Sequence, residues 1–334
     1  MANDWLTIHG GDCREVLREL PAESVHCVVT SPPYWGLRDY GTATWEGGDA
    51  DCDHVMSRAL KRDNNGGMPP AGEGTRGTQS STASSVLLFR DACGKCGARR
   101  VDAQLGLETT PEAYVAAMVD VFREVRRVLR DDGTLWLNLG DSYAAARSYQ
   151  VRDNKHTDVG NTMASSVPEG LKPKDLVGIP WRVAFALQAD GWYLRSDIVW
   201  AKPNPMPESV TDRPTKSHEY VFLLAKSARY FFDADAVRET SSDDFGRNIR
   251  SVWTIATAPY PGAHFATFPP KLVEPCVKAG CPVGGVVLDP FAGTGTVGMV
   301  AQSLSRRAVL IELNPEYLRQ CLARNAQAPL GLGA

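Results

Sequence analysis

No apolar run in this 334-residue chain approaches the roughly 18–20 residues that a membrane-spanning helix needs. The opening residues, MANDWLTIHGGD, carry neither a basic leader nor an apolar signal core. The expectation is a cytoplasmic protein without a membrane partner. A basic excess is missing too: 36 Lys and Arg face 39 Asp and Glu, a net charge of −3. Chains that coat nucleic acid non-specifically are usually basic, so any polyanion contact must rest on local positive charge. Cysteine is sparse, with 8 in the whole chain, and does not suggest a disulfide framework. Cys13, Cys27, Cys276, Cys281 and Cys321 read as small buried apolar residues or incidental thiols. Cys52, Cys93 and Cys96 stand apart.

What is present is length for one large α/β domain with insertions, and a regular alternation of elements. Trp5–His9 reads as a short strand, Cys13–Leu20 as a helix and Val25–Thr30 as a buried strand. The prolines of SPPYWG then end the ladder. From about Gly47 to Arg90 the composition turns to Gly, Ser, Thr and Pro with little to bury, and reads as a mobile insertion. Thr110 as N-cap and Pro111 at the first position open a helix striped by Val115, Met118, Val119, Phe122, Val125 and Leu129. Asp131-Asp132-Gly133 stops it before a strand at Thr134–Leu139. Asp175–Ala189 reads as helix, Tyr193–Trp200 and Tyr220–Ala225 as strands, Lys271–Lys278 as a short helix and Val286–Leu288 as a strand. The alternation implies a mostly parallel sheet covered on both faces.

VVLDPFAGTGTVG is an apolar strand followed by Gly293, Gly295 and Gly298, a loop that lets the backbone turn tightly against a nucleotide-like ligand. Glu312 ends the next strand, Ala308–Ile311, about 20 residues beyond Asp289, where a carboxylate suits ribose hydroxyls. A dinucleotide fold shares the pattern. Against it, Asp289-Pro290-Phe291 puts a carboxylate and an aromatic ring where a pyrophosphate needs neither. The chain also stops soon after Glu312, so the remaining strands have to come from the N-terminal part, a circular permutation.

Thr30-Ser31-Pro32-Pro33-Tyr34-Trp35 at a strand end resembles the catalytic [DNS]-P-P-[YFW] tetrapeptide of the DNA amino-methyltransferases. DPFAGTGTVG resembles their cofactor loop, and tetrapeptide before loop resembles the permuted β group. IHGGDCREVL resembles the segment placing an acid, here Asp12, near the cofactor adenine. DIVWAKPNPMP resembles the strand and turn after the catalytic half, and HFATFPPKL the segment opening the cofactor pocket. The resemblance implies a Rossmann-like, circularly permuted S-adenosylmethionine-dependent methyltransferase sheet with insertions. It assigns the catalytic role to Ser31, Pro32, Pro33 and Tyr34, and cofactor contacts to Asp12, Phe268, Asp289, Phe291, Gly293, Thr294, Gly295, Thr296 and Glu312. An exocyclic amine is a poor nucleophile because its lone pair is delocalised into the ring. The Ser31 side chain and Pro32 carbonyl would accept its N–H bonds and stabilise the developing positive charge. Tyr34 would stack on a base taken out of the duplex. Serine at the first position leans towards N4 of cytosine over N6 of adenine, with both open.

Cys52-x-His54 and Cys93-x-x-Cys96 offer four ligand-type residues for a structural zinc. Residues 55–92 between them exceed the usual finger spacing, and a loop with incidental thiols is the other reading. Trp35, Arg38 and Lys202 are candidates for DNA contacts. Target recognition is expected in Ala144–Lys174, with Arg147, Arg152, Lys155, Lys172 and Lys174, and in Lys202–Arg250. Arg99 and Arg100, beside the knuckle, could meet phosphate or simply be solvated. The organisation follows: 1–46, catalytic half with SPPY; 47–100, insertion; 101–143, catalytic core; 144–260, core strands with recognition insertions; 261–334, cofactor-binding half. Double-stranded DNA is the expected partner, with a homodimer and a cognate restriction enzyme as further partners, in a prokaryotic or phage-encoded setting. The alternatives are an amino-methyltransferase acting on RNA or protein, and a catalytically silent DNA-binding specificity partner.

Overall fold

The computed structural model describes residues 2–3, 5–36, 40, 42–54, 93, 95–144, 167, 170–240, 246–258 and 268–326. The insertion tract over 55–92, Arg38, Arg147, Arg152, Lys155 and residues 264–267 of HFATFPPKL lie outside the described residues.

The strands are β1 (Ala2–Asn3), β2 (Leu6–Gly10), β3 (Val25–Thr30), β4 (Thr44–Glu46), β5 (Arg99–Val101), β6 (Leu129–Leu139), β7 (Tyr193–Ala201), β8 (His218–Ala225), β9 (Val252–Thr254), β10 (Val286–Asp289) and β11 (Arg307–Glu312). Among the described residues, nine form one sheet in the order β1-β2-β11-β10-β3-β6-β8-β7-β9, and β4 pairs with β5 in a separate ribbon. Strands β2, β11, β10, β3 and β6 run parallel, while β8 runs antiparallel to both β6 and β7. The central strands VHCVVT and VVLD are apolar almost throughout because helices cover both of their faces.

Helices α1 (Cys13–Glu19), α2 (Pro111–Val128) and α3 (Ile179–Ala189) enclose one apolar core with the sheet. Helices α4 (Pro270–Gly280), α5 (Thr296–Ser303) and α6 (Pro315–Ala326) enclose a second core on the opposite face. α2 starts as expected: the Thr110 side chain accepts from the Ala113 N–H and Pro111 follows the cap. Its buried stripe is Tyr114, Met118, Val121, Phe122 and Val125, slightly rotated from the expected one, with Val115 and Val119 at the margin. α3 begins at Ile179, later than the expected Asp175. Gly178 sits at φ 78°, and Asp141 Oδ1 accepts from the N–H groups of Gly178 and Ile179, which fixes the start there.

β10 and β11, the last strands in sequence, lie inside the sheet beside β3 and β2. The sheet is therefore circularly permuted. From β10 the chain winds towards β11, and from β3 it winds the other way to β6, so a topological switch point falls between β10 and β3. In open α/β sheets ligands bind at the carboxyl ends of the strands at such a point. Among the described residues, no helix is long and apolar enough to cross a membrane.

Candidate active site

Four parallel strands deliver their carboxyl ends to one place. β3 runs into Ser31-Pro32-Pro33-Tyr34, β10 into the glycine loop, β11 ends on Glu312, and β2 leads through Gly11 to Asp12. Between them lies a cavity of about 300 Å³. Of the residues expected there, Asp12, Ser31, Pro32, Pro33, Tyr34, Phe268, Phe291, Gly293, Thr294, Thr296 and Glu312 line it.

The loop half is held by its acids. Asp289 Oδ1 accepts from the Thr30 hydroxyl at 2.7 Å and from the Phe291 N–H at 3.1 Å, tying the end of β3 to the start of the loop. Glu312 Oε2 accepts from Gly293 N–H and Oε1 from Asn314 N–H, both at 2.7 Å. A carboxylate has about four lone-pair sites, so capacity remains for ribose hydroxyls. Burial raises both acids to about 7, against the backbone hydrogen bonds that favour the ionised forms. Arg324 of α6 donates to the hydroxyls of Thr294 and Thr296. Asp12 caps α1 through the Arg14 N–H and pairs with the Arg14 guanidinium.

The tetrapeptide half is braced from beneath. The Tyr114 hydroxyl of α2 donates to the Pro33 carbonyl at 2.9 Å. Among the described residues nothing donates to the Pro32 carbonyl. Gly140 comes so close to the Tyr34 ring that a Cβ there would lie 2.4 Å from Cε2. The Tyr34 hydroxyl lies 2.9 Å from Glu219 Oε2 and 3.0 Å from Asn138 Oδ1, and the Ser31 hydroxyl is 3.3 Å away. Burial, and next the negative charge of Glu219, hold this phenol protonated, well above its ordinary pKa.

Glu219, at the start of β8, lines the cavity, accepts from Asn138 Nδ2 and pairs with Lys202. Sequence reading missed it, along with Tyr40, Thr42, Gln104, Asn314 and Tyr317 on the cavity wall. None stands in a recognisable spacing. The Asn-Pro step that opens α6 was the one available signal, since Asn314 caps that helix by accepting from the Glu316 N–H.

Four of the expected site residues are held in contacts within the protein. Trp35 is buried at 8% exposure and its indole N–H donates to the Glu108 carbonyl, so it belongs to the core and not to a DNA surface. Lys202 is 16% exposed, paired with Glu219 and 4.3 Å above the Trp200 ring, so its ammonium is engaged by contacts within the protein. Asp289, 1% exposed, lies behind the cavity wall and ties β3 to the loop. Gly295 also stands off the wall; a Cβ on it would lie 2.2 Å from Asn325 Nδ2, so its lack of a side chain serves the packing of α5 on α6. Arg100, half of the pair beside the knuckle, binds Asp102 at 2.8 Å.

The expected metal ligands do come together. Cys52, His54, Cys93 and Cys96 hold their ligand atoms within 4.8 Å of one another. Cys52 Sγ and Cys93 Sγ are 3.9 Å apart, and Cys96 Sγ is 3.3 Å from His54 Nδ1. Trp45 of β4 stacks on the His54 ring, and the Lys95 N–H donates to Cys93 Sγ.

A permuted Rossmann-like sheet whose glycine loop and Ser-Pro-Pro-Tyr turn open on one cavity defines the class, that of the α/β methyltransferases. The family model N6_N4_Mtase, DNA methylase, matches residues 25–323, and the chain belongs to that family. It is 46% identical over 313 residues to the Type II methyltransferase M.Cfr9I of Citrobacter freundii, spanning 93% of this chain and 85% of that protein. To the Type II methyltransferase M.SmaI of Serratia marcescens it is 46% identical over 310 residues, 92% of this chain and 86% of that one. Among solved structures, the cytosine-N4-specific PvuII DNA methyltransferase aligns with TM-score 0.59 at 18% identity, covering 96% of this chain and 86% of that one. A Thermus thermophilus protein complexed with S-adenosyl-L-methionine aligns with TM-score 0.56 at 24% identity, covering 96% and 94%.

Proposed function

We propose that this DNA methylase transfers a methyl group from S-adenosylmethionine to the exocyclic amine of a base extruded from double-stranded DNA, with N4 of cytosine favoured over N6 of adenine. One observation carries the reading: the Ser31-Pro32 turn and the loop from Phe291 to Thr296 share a single cavity, so an acceptor amine and a nucleotide cofactor can meet. S-adenosylmethionine, when bound, supplies an electrophilic methyl group. The cavity offers it Glu312 for ribose hydroxyls and Phe268 and Phe291 as apolar walls. The chain's own part is to hold the amine nitrogen: Ser31 Oγ and the Pro32 carbonyl accept its hydrogens, and Tyr34, fixed by Glu219, Asn138 and Gly140, presents its ring to the base. Ser31, a hydroxyl in place of a carboxylate, supports the cytosine preference. Incubation with double-stranded DNA and S-adenosylmethionine, followed by mass spectrometry of the nucleosides, should yield N4-methylcytosine. N6-methyladenine would overturn the choice of base, and 5-methylcytosine would overturn the mechanism.

A structural zinc belongs to the same proposal. Tetrahedral zinc at about 2.3 Å from sulfur and 2.0 Å from nitrogen requires sulfur–sulfur separations of about 3.8 Å and sulfur–nitrogen separations of about 3.5 Å. The observed 3.9 Å and 3.3 Å fit, and three thiolates with one imidazole form a closed donor set.

A further inference from the structure

We propose that this metal site controls cofactor affinity by holding the β4–β5 ribbon in place as a wall of the cofactor cavity. The inference rests on the S-adenosylmethionine and zinc readings above. The ribbon is slight: three residue pairs, Thr44 with Val101, Trp45 with Arg100 and Glu46 with Arg99. An isolated two-stranded ribbon is marginal in water, so something must close its ends. At the far end stand the four ligands, Cys52 and His54 just after β4, Cys93 and Cys96 just before β5. Gly48 lies against the knuckle, where a Cβ would come within 2.8 Å of Cys96 Sγ, so that end is packed tightly round the site.

The near end enters the cavity. Tyr40 and Thr42 before β4, and Ala103, Gln104 and Leu105 after β5, all line it. Gln104 Oε1 accepts from the Tyr40 N–H at 2.7 Å, and the Thr42 hydroxyl donates to Asp102 at 3.0 Å. This stitched end is then tied to the cofactor half. Asn314 Nδ2 donates to the Tyr40 carbonyl at 3.0 Å, and the Asn314 N–H donates to Glu312, the expected ribose ligand. Arg14, already paired with Asp12, donates to the Ala103 carbonyl at 3.1 Å. A continuous set of contacts therefore runs from the ligand cluster along the ribbon to Glu312 and Asp12 on the cavity. Metal binding orders small elements that lack a core of their own, so loss of metal loosens this wall. Four protein ligands leave no open coordination position, so the metal acts on binding and not on the transferred methyl group.

The test uses the full chain, purified without chelator. Metal analysis should find about one zinc per chain. Calorimetric titration with S-adenosylmethionine, before and after zinc extraction, should show the Kd rising at least about tenfold and recovering when zinc is restored. Gln104→Ala leaves all four ligands intact; it should keep its zinc and still weaken S-adenosylmethionine binding. Absence of zinc overturns the site. Zinc present, with affinity unchanged within about twofold on its removal, overturns the coupling alone. Zinc-loaded protein that fails to bind S-adenosylmethionine overturns the cavity reading instead. If extraction unfolds the chain, unchanged affinity in Gln104→Ala overturns the proposal.

Discussion

Ser31 and Glu219 stand on the same cavity, yet only the first is visible in the sequence. Ser31 is followed by two prolines and an aromatic residue, a pattern with a chemical reason behind each member. Among the described residues its hydroxyl has only a long contact, to Tyr34, which leaves its lone pairs for an incoming amine. Ser31→Ala is expected to lower kcat on the order of 100- to 1000-fold, as loss of one preorganised hydrogen-bond partner does. The Kd for S-adenosylmethionine should stay within about twofold of wild type, and single-turnover kinetics beside calorimetry separates the two effects. Glu219 is a lone acid at the start of a strand far along the chain; only folding brings it to Tyr34 and Lys202. Glu219→Gln keeps an acceptor for the phenol but removes the charge that holds Lys202. A hydrogen bond to a charged group contributes about 1.5–3 kcal/mol, so kcat/KM should fall roughly tenfold or more. A variant with unchanged kcat/KM and an unchanged DNA affinity would show that the Tyr34 cluster is structural only.

The large elements were readable because their causes are local. Apolar runs bounded by turn residues gave the parallel strands, and Thr110-Pro111 gave the start of α2 within a residue. The ribbon was not readable. Its three-residue strands are separated by a long insertion, carry no alternating apolar face, and are joined through the ligand cluster. The glycine loop is legible as an element, but only partly in its reasons. Gly293 lies on the cavity, whereas Gly295 is left-handed at φ 79° and packed against Asn325 and Cys321 of α6. Gly295→Ala therefore adds the left-handed cost of about 1–2 kcal/mol for a residue with a Cβ to a clash within the second core. Thermal unfolding should show a Tm lower by at least about 3 °C. An unchanged Tm would mean that α6 can shift away freely.

At the scale of the molecule, the permuted order was legible because strand, glycine loop, strand and acid all fall at the end of the sequence. The burial of Asp289 was not, since a motif does not say which side of a strand end faces the ligand. That burial has a consequence for stability. Asp289 is raised from an ordinary 3.8 to about 7, chiefly by loss of water around it, with Glu312 adding repulsion. The folded state then holds a proton that the unfolded state has released. Below about pH 4 both states are protonated and the site is neutral towards folding; as pH rises from 4 through 7 the folded state loses stability relative to the unfolded one. Asp289→Asn retains an Oδ1 that can accept from both Thr30 and Phe291, and removes the ionisation. The variant, without cofactor, is expected to come closest to wild type near pH 4 and to melt progressively higher than it towards pH 8. With each pKa unit corresponding to 1.36 kcal/mol, and relaxation at the site absorbing part of the shift, the gain should be about 2 kcal/mol. For a chain of this length that corresponds to roughly 3 °C in Tm. Scanning calorimetry of both proteins from about pH 4 to pH 8 measures it directly. A parallel displacement of the two curves at every pH would mean that Asp289 is ionised throughout and that its value lies in the Thr30 and Phe291 hydrogen bonds alone.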